Sequence, residues 1–387
     1  MRKQNGSSRC VKSSHAGFTL LELLVAMAIF TIVAGAAFSL FAQNQPIFNQ
    51  QQNQAALNIS MRNAVAQMQV DIVNGGAGYY SGINVPNWPV GVVINNNVVS
   101  SAGDCHSGTT YGANCFDSFT VIKADANTPA MNPSVNPATA GGDTNCATPT
   151  NTRTSTTLYL IPPSGYSAAQ ITALSANFNS GDQILLVTNS GAQFTTAVLT
   201  AAGTTTTASG TTYIQLTHGA TSTTTVSGVT YTGYNSSASN DPTGMTTNVN
   251  AMLGEQYCST DWVLRLTPIK YDVDTTTDSS DPTLRRTVLV QGATPSANGV
   301  ALANQIIGFK VGATLVSGTT DTNTYNFDSS TYGTGYDYTM VRSVMVSMIG
   351  RTTPTPGPAY VYTNSFDGGP YQIEGTSIVV NPRNMSM

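Results

Sequence analysis

The stretch GFTLLELLVAMAIFTIVAGAAFSLFA, Gly17 to Ala42, decides how this chain is read. Within Leu23–Ala42, twenty residues, only Thr31 and Ser39 are polar. Twenty apolar residues rising about 1.5 Å each span roughly 30 Å, the thickness of a bilayer's hydrocarbon. In front of this run, residues 1–17 carry Arg2, Lys3, Arg9 and Lys12 and no acid. The rest of the chain holds 11 Lys+Arg against 19 Asp+Glu, a net of −8. A basic flank followed by an apolar span predicts one membrane pass with the N-terminus on the cytoplasmic side.

Three kinds of segment begin in this way. A secretory signal peptide places small residues after its apolar run, a pattern that Ala34-Gly35-Ala36 supplies. A plain anchor needs no particular residue at its front edge. The third kind accounts for Gly17 at the border and for Glu22 inside the run. A carboxylate in hydrocarbon costs about 2.5–3.5 kcal/mol on insertion scales, so it calls for a function.

Gly17-Phe18-Thr19-Leu20-Leu21-Glu22 resembles the prepilin processing motif of type IV pilins and type II secretion pseudopilins. The resemblance implies a membrane peptidase that cuts after Gly17, leaving Phe18 as the new, N-methylated terminus. It also implies that Glu22, with Thr19 beside it, acts in assembly by pairing with the terminal amine of a neighbouring subunit. Burial in a core of packed apolar helices would make such a pair obligatory, because an unmatched charge there pays its full desolvation.

Beyond the apolar run, Leu57, Met61, Val65, Met68 and Ile72 recur at spacings of three and four, one apolar stripe of a helix. Gly75-Gly76 stops it. The expectation is a helix over residues 18–74, about 85 Å long, with residues 18–42 in the membrane. Pro46 should kink it or divide it in two. Its second half should pack on the body and its first half protrude.

Residues 75–387 read as strands separated by turns rich in Gly, Asn, Asp and Pro. Apolar or β-branched runs occur at Val90–Ile94, Phe119–Ile122, Thr157–Ile161, Gln183–Val187, Phe194–Leu199, Thr212–Leu216, Trp262–Leu266, Thr287–Gln291, Gln305–Val311 and Val341–Ile349. No βαβ rhythm appears, which argues against a doubly wound enzyme. The predicted class is α+β, a long helix packed on a mostly antiparallel body. Charged residues are only 9% of the chain, which excludes a basic surface for nucleic acid. Residues 183–240 contain no Asp, Glu, Lys or Arg, and 19 of residues 201–240 are Ser or Thr. That composition suggests an exposed hairpin or a solvated insertion, with an adhesive surface as the sharper possibility.

Further segments are similar to PilW-type minor pilins: Arg62-Asn63-Ala64-Val65, Asp71-Ile72 and Ala77-Gly78-Tyr79 at the helix end, and the closing Val380-Asn381-Pro382-Arg383-Asn384. Leu284-Arg285-Arg286, Gly299-Val300, Ile306–Val311 and Val341–Val346 resemble strands that PilW shares with the pseudopilin GspJ. The resemblance implies a subunit held first in the inner membrane, its body periplasmic, then built into a filament at the cell surface. Its implied partners are the prepilin peptidase, other minor pilins and the major pilin, with roles in pilus assembly, motility or adhesion. A GspJ-like secretion pseudopilin and a membrane-tethered adhesin are the alternatives.

Cys10 lies in the leader, so processing leaves Cys105, Cys115, Cys146 and Cys258, an even set that an oxidising periplasm would pair. The CxxC spacing favoured by structural zinc is absent. Asp272, Asp274, Asp278 and Asp281 form an acidic cluster of the kind that can hold calcium, without the glycine and terminal glutamate of an EF-hand. There is no HExxH, GxSxG or phosphate-binding GxxxxGK[ST]. The sequence therefore predicts a structural protein, neither an enzyme nor a cofactor carrier.

Overall fold

The computed structural model describes residues 19–76, 91–97, 106–107, 110–112, 115–134, 137, 156–187, 189, 194–218, 223–226, 229–232, 258–289, 299–317, 320–324, 341–353, 364–365 and 369–382. The chain divides into two compact units, Met1–Gln54 and Ala55–Met387.

One helix, Leu20–Val73, supplies most of the first unit and the beginning of the second. Its first half is apolar on every side and exposed, Phe30 at 71% for example. By length and composition it can cross a bilayer. Pro46 lies inside the helix without dividing it, so the arrangement of two helices joined there is not what the structure shows. Proline loses its own N–H bond and crowds the carbonyl four residues back, a local cost of about 3 kcal/mol, yet the 54-residue helix runs through it.

In the second unit the helix buries Leu57, Met61, Ala64, Met68 and Ile72. The inward stripe thus runs through Ala64, and Val65 is only half-buried. Each large side chain in that stripe contributes about 1.5–3 kcal/mol of burial. The helix stops where the glycine pair sits. Gly75 N–H donates to Ile72 O at 2.9 Å, and Gly76 takes φ +71°, the left-handed turn that glycine accepts without strain. Gly76 N–H then donates to Ile122 O at 2.8 Å, tying the helix end to a strand.

That strand belongs to a seven-stranded antiparallel sheet. Its order is Val92–Asn95, Ser118–Ala124, Trp262–Asp274, Thr283–Val288 and Val300–Ala303. Gln183–Val187 pairs with the first part of the 13-residue strand Trp262–Asp274, and Phe194–Val198 extends the sheet from there. A four-stranded antiparallel sheet follows, ordered Thr320–Thr324, Ile306–Ser317, Val341–Arg351 and Ile373–Val380. The two sheets share one core with the helix stripe, and a parallel bridge between Phe116 and Phe309 links them.

A second core lies apart from the first. It lies between the helix Ala168–Ser175, the strands Thr157–Ile161 and Thr211–Thr217 of a second four-stranded sheet completed by Asn132–Ser134 and Thr204–Ala208, and the strands Gln183–Val187 and Phe194–Val198 with Val263 of the seven-stranded sheet. The short helix begins with a capping box, in which Ser167 Oγ accepts from Gln170 N and Gln170 Oε1 accepts from Ser167 N at 2.8 Å. The charge-free stretch 183–240 is accordingly not a uniform solvated insertion. Ile184, Leu186, Ala197 and Ile214 are fully buried in this second core. Lack of charge marks burial at those positions, whereas Thr204–Ala208 is an edge strand with mostly exposed side chains.

Candidate functional site

Gly17 and Phe18 lie outside the described residues, and the helix that follows them begins with Thr19 as its cap. Thr19 N–H donates to Glu22 Oε2 at 2.9 Å, Thr19 Oγ1 donates to the same oxygen at 3.0 Å, and Glu22 N–H donates to Thr19 Oγ1 at 3.3 Å. This reciprocal T-x-x-E pattern is a capping box, which satisfies two backbone donors that the first turn would leave orphaned. Glu22 therefore has a local task in the isolated subunit. Both hydrogen bonds to the carboxylate fall on Oε2.

At the other end of the helix, Asp71 is 2% exposed and faces the sheet. Its Oδ2 accepts from Tyr271 Oη at 2.6 Å and from Arg286 Nε at 2.7 Å. Gln67 Nε2 donates to it at 3.3 Å, and Lys123 Nζ stands 3.9 Å from Oδ1. Burial pushes the Asp71 carboxyl up, but the hydrogen bonds from Arg286 and Tyr271 outweigh it and hold the group below the ordinary carboxylate range. The same burial, aided by the Asp71 charge, drives the Tyr271 phenol upward. The cluster is a charged clamp between helix and sheet. The sequence stripe identified the apolar contacts and missed this one; the available signal was an acid on the inward face, one turn beyond Met68.

Two more charged knots hold the strands. Arg265 reaches Asp182 Oδ2 at 2.8 Å and Asp125 Oδ2 at 2.6 Å. Arg285 Nε lies 2.9 Å from Asp274 Oδ2.

The four acidic residues considered for calcium each have another occupation. Asp274 accepts from Thr276 Oγ1 at 2.6 Å and Thr277 Oγ1 at 2.7 Å, and Asp278 accepts from Ser280 Oγ at 2.6 Å. Asp281 Oδ1 accepts from Gln305 N at 2.9 Å, and Asp272 pairs with Lys270 at 3.3 Å. Among the described residues no group of three His, Cys, Asp or Glu side chains is placed to hold a metal. Of the cysteines, Cys115 packs half-buried against the main core. The backbone N–H of Cys258 donates to Asp261 Oδ2 at 2.6 Å. Cys105 and Cys146 lie outside the described residues.

A basic leader, an apolar helix and a glutamate in its first turn are the parts that bear on function. Residues 12–38 match the prokaryotic N-terminal methylation motif. The chain thus has a prepilin-type N-terminus, and the match takes in Gly17, Phe18, Thr19 and Glu22 together. No curated protein and no solved structure matches the chain. A prepilin-type start implies processing by a prepilin peptidase and assembly with pilin-like subunits, with the apolar helix as the membrane-resident part.

Proposed function

We propose that this chain is a structural, non-enzymatic minor pilin of the PilW type, processed after Gly17 and taking part in the priming of a type IV pilus. The match over residues 12–38 carries the proposal, because it runs directly into a helix whose apolar first half is exposed on all sides. Such a surface needs either lipid or a bundle of like helices. Lipid and bundle bury it about equally well, so bulk hydrophobicity does not drive transfer between them. The charge at Glu22 then selects orientation and register.

The body supports the same reading. Its second unit is an antiparallel framework onto which the helix is locked by an apolar stripe and by Asp71. Lys123, Tyr271 and Arg286 at this clamp all turn towards the helix carboxylate of Asp71. The cysteines are proposed to be paired in the periplasm, and Thr-rich residues 204–208 to face the medium.

The test is processing. In Gly17→Ala the peptidase meets a side chain where glycine offers none, and mass spectrometry of the membrane fraction should find the uncut precursor. Wild type should begin at Phe18 with one added methyl group. A mature terminus at Phe18 in the mutant, or a wild-type cut near Ala36, would overturn the proposal. Recovery of the chain from sheared filaments separates a pilus subunit from a secretion pseudopilin.

A further inference from the structure

We propose that Lys310 and Asn96 are joined by an intramolecular isopeptide bond, formed with the help of Asp117. The inference is independent of the reading of the N-terminus.

The three residues meet where the two large sheets adjoin. Asn96 directly follows the edge strand Val92–Asn95, and Lys310 lies on Ile306–Ser317 of the four-stranded sheet. Lys310 Nζ stands 3.4 Å from Asn96 Oδ1 and 3.0 Å from Asp117 Oδ1. Asn96 is 8% exposed and Asp117 1%. Asp117 is held rigidly, since its Oδ1 accepts from Asn97 N and its Oδ2 from Val311 N, both at 2.9 Å. The aromatic rings of Phe119 and Phe309, 6.2 Å apart, pack in the core behind this corner.

An ion pair alone accounts for the contact between Lys310 and Asp117. The same ammonium, on a half-exposed side chain, also donates to Asn96 Oδ1, which brings a buried amide carbonyl beside the amine. A nucleophile, an electrophile and a proton carrier are what amide exchange requires. The carbonyl bond is about 1.2 Å long, so Nζ lies no more than about 4.6 Å from Asn96 Cγ. A lysine rotamer change brings it to the roughly 3–3.5 Å of a near-attack arrangement. Asp117 takes a proton from the Lys310 ammonium, freeing its lone pair. Nζ attacks Cγ, the new Nζ–Cγ bond forms, and the Cγ–Nδ2 bond breaks as Asp117 returns a proton to the leaving nitrogen. The second proton of Nζ leaves with the departing group, so ammonium is released, Asp117 ends as the carboxylate it began as, and no oxidant is involved. The product ties together two strands 214 residues apart in sequence, across the junction of the sheets. Such a link closes a long loop covalently.

Mass spectrometry of the full chain purified from membranes decides. The wild-type mass should fall short of its sequence value by one ammonia, beyond any disulfide or methyl correction. Proteolysis should release a branched peptide joining the fragments that hold Asn96 and Lys310, with trypsin unable to cut after Lys310. Lys310→Arg keeps a cation beside Asp117 but lacks the amine, and it should restore linear peptides and the full mass. Asn96→Ala should do the same and serves if the arginine variant folds poorly. Asp117→Asn should slow formation of the link at least about a hundredfold, the usual worth of a placed acid–base group. Wild-type protein in which both fragments are recovered separately, with Asn96 and Lys310 unmodified, would overturn the inference.

Discussion

Tyr271 donates its phenolic hydrogen to Asp71 at 2.6 Å, joining the inward face of the long helix to the longest strand of the sheet across 200 residues of sequence. The strand is held in turn by its neighbours, so this one contact fixes the helix against the centre of the body. Arg286, on the adjacent strand, shares the same carboxylate oxygen. The interaction is a partnership of unequal members. Losing one donor leaves the charge still paired, whereas losing the acid strands a half-buried guanidinium and a buried phenol.

From that asymmetry, Tyr271→Phe should cost about 1.5–3 kcal/mol, the worth of one hydrogen bond to a charged group. Asp71→Ala should cost about 3–5 kcal/mol. Urea unfolding of the detergent-solubilised chain, followed by tryptophan fluorescence, gives both values. Equal losses in the two variants would mean that the phenol rather than the carboxylate anchors the helix.

Acid should weaken the body through Asp274. Burial raises this carboxyl, but the hydrogen bonds from Thr276 and Thr277 and the charge of Arg285 more than offset it and hold it at about 2, against an ordinary 3.8. A pKa depressed on folding contributes stability above the unfolded value and loses it as pH falls through the folded one. The stability gap between wild type and Asp274→Asn should therefore be about 2 kcal/mol at neutral pH. It should close as pH falls from about 4 towards 2. A gap independent of pH across that window would show that the charge of Asp274 is not what the turn uses.

Gly350 sets how closely the helix can approach the four-stranded sheet. A Cβ there would lie 2.8 Å from Leu57 Cδ1 and 2.9 Å from Met61 Sδ. Both atoms are side-chain ends, so they can retreat, at the cost of displacing the first turn of the inward stripe. Gly350→Ala should destabilise by about 1–3 kcal/mol, as overpacking does. A compensating Met61→Leu or Leu57→Val should recover part of the loss, which chemical denaturation would show as non-additivity of the double mutant.

Signals confined to a few neighbouring residues were legible in the sequence. The apolar run, the stripe through Leu57 and Met61, and the stop at Gly75-Gly76 all depend on helical period and glycine. Thr157–Ile161 and Gln183–Val187 form strands with the expected bounds, because apolar side chains there fill a core. Thr204–Ala208 and Thr320–Thr324 show no apolar alternation, since their side chains face outward at sheet edges. The helix Ala168–Ser175 announces itself only by Ser167 and Gln170 three apart, a pattern too short to stand out in a chain rich in serine. Asp71 was visible as an acid, but its partners Tyr271 and Arg286 are brought to it by tertiary structure alone.

The prediction on which the proposed mechanism rests concerns Glu22, which has two duties that substitution can separate. In the isolated chain its carboxylate accepts from Thr19 N and Oγ1 and so caps the helix. In an assembled core it would face the methylated amine of an adjacent subunit. Glu22→Ala removes both functions, while Glu22→Gln keeps an acceptor for the cap and discards the charge. Removing the acid makes the segment more apolar, so insertion and cleavage after Gly17 should continue in both variants. Loss of the cap costs only about 1 kcal/mol at the helix start. Loss of the counter-charge to a buried amine costs about 3–5 kcal/mol. Incorporation into filaments should thus fall sharply in both variants, with glutamine retaining slightly more than alanine, and Thr19→Ala should fall least. The measurement is to blot sheared filaments for each processed subunit and to count pili by electron microscopy. If glutamine incorporates like wild type while Thr19→Ala and Glu22→Ala fail together, the cap and not the charge governs assembly. Normal incorporation of Glu22→Ala would remove the glutamate from the mechanism and leave the helix as a tether.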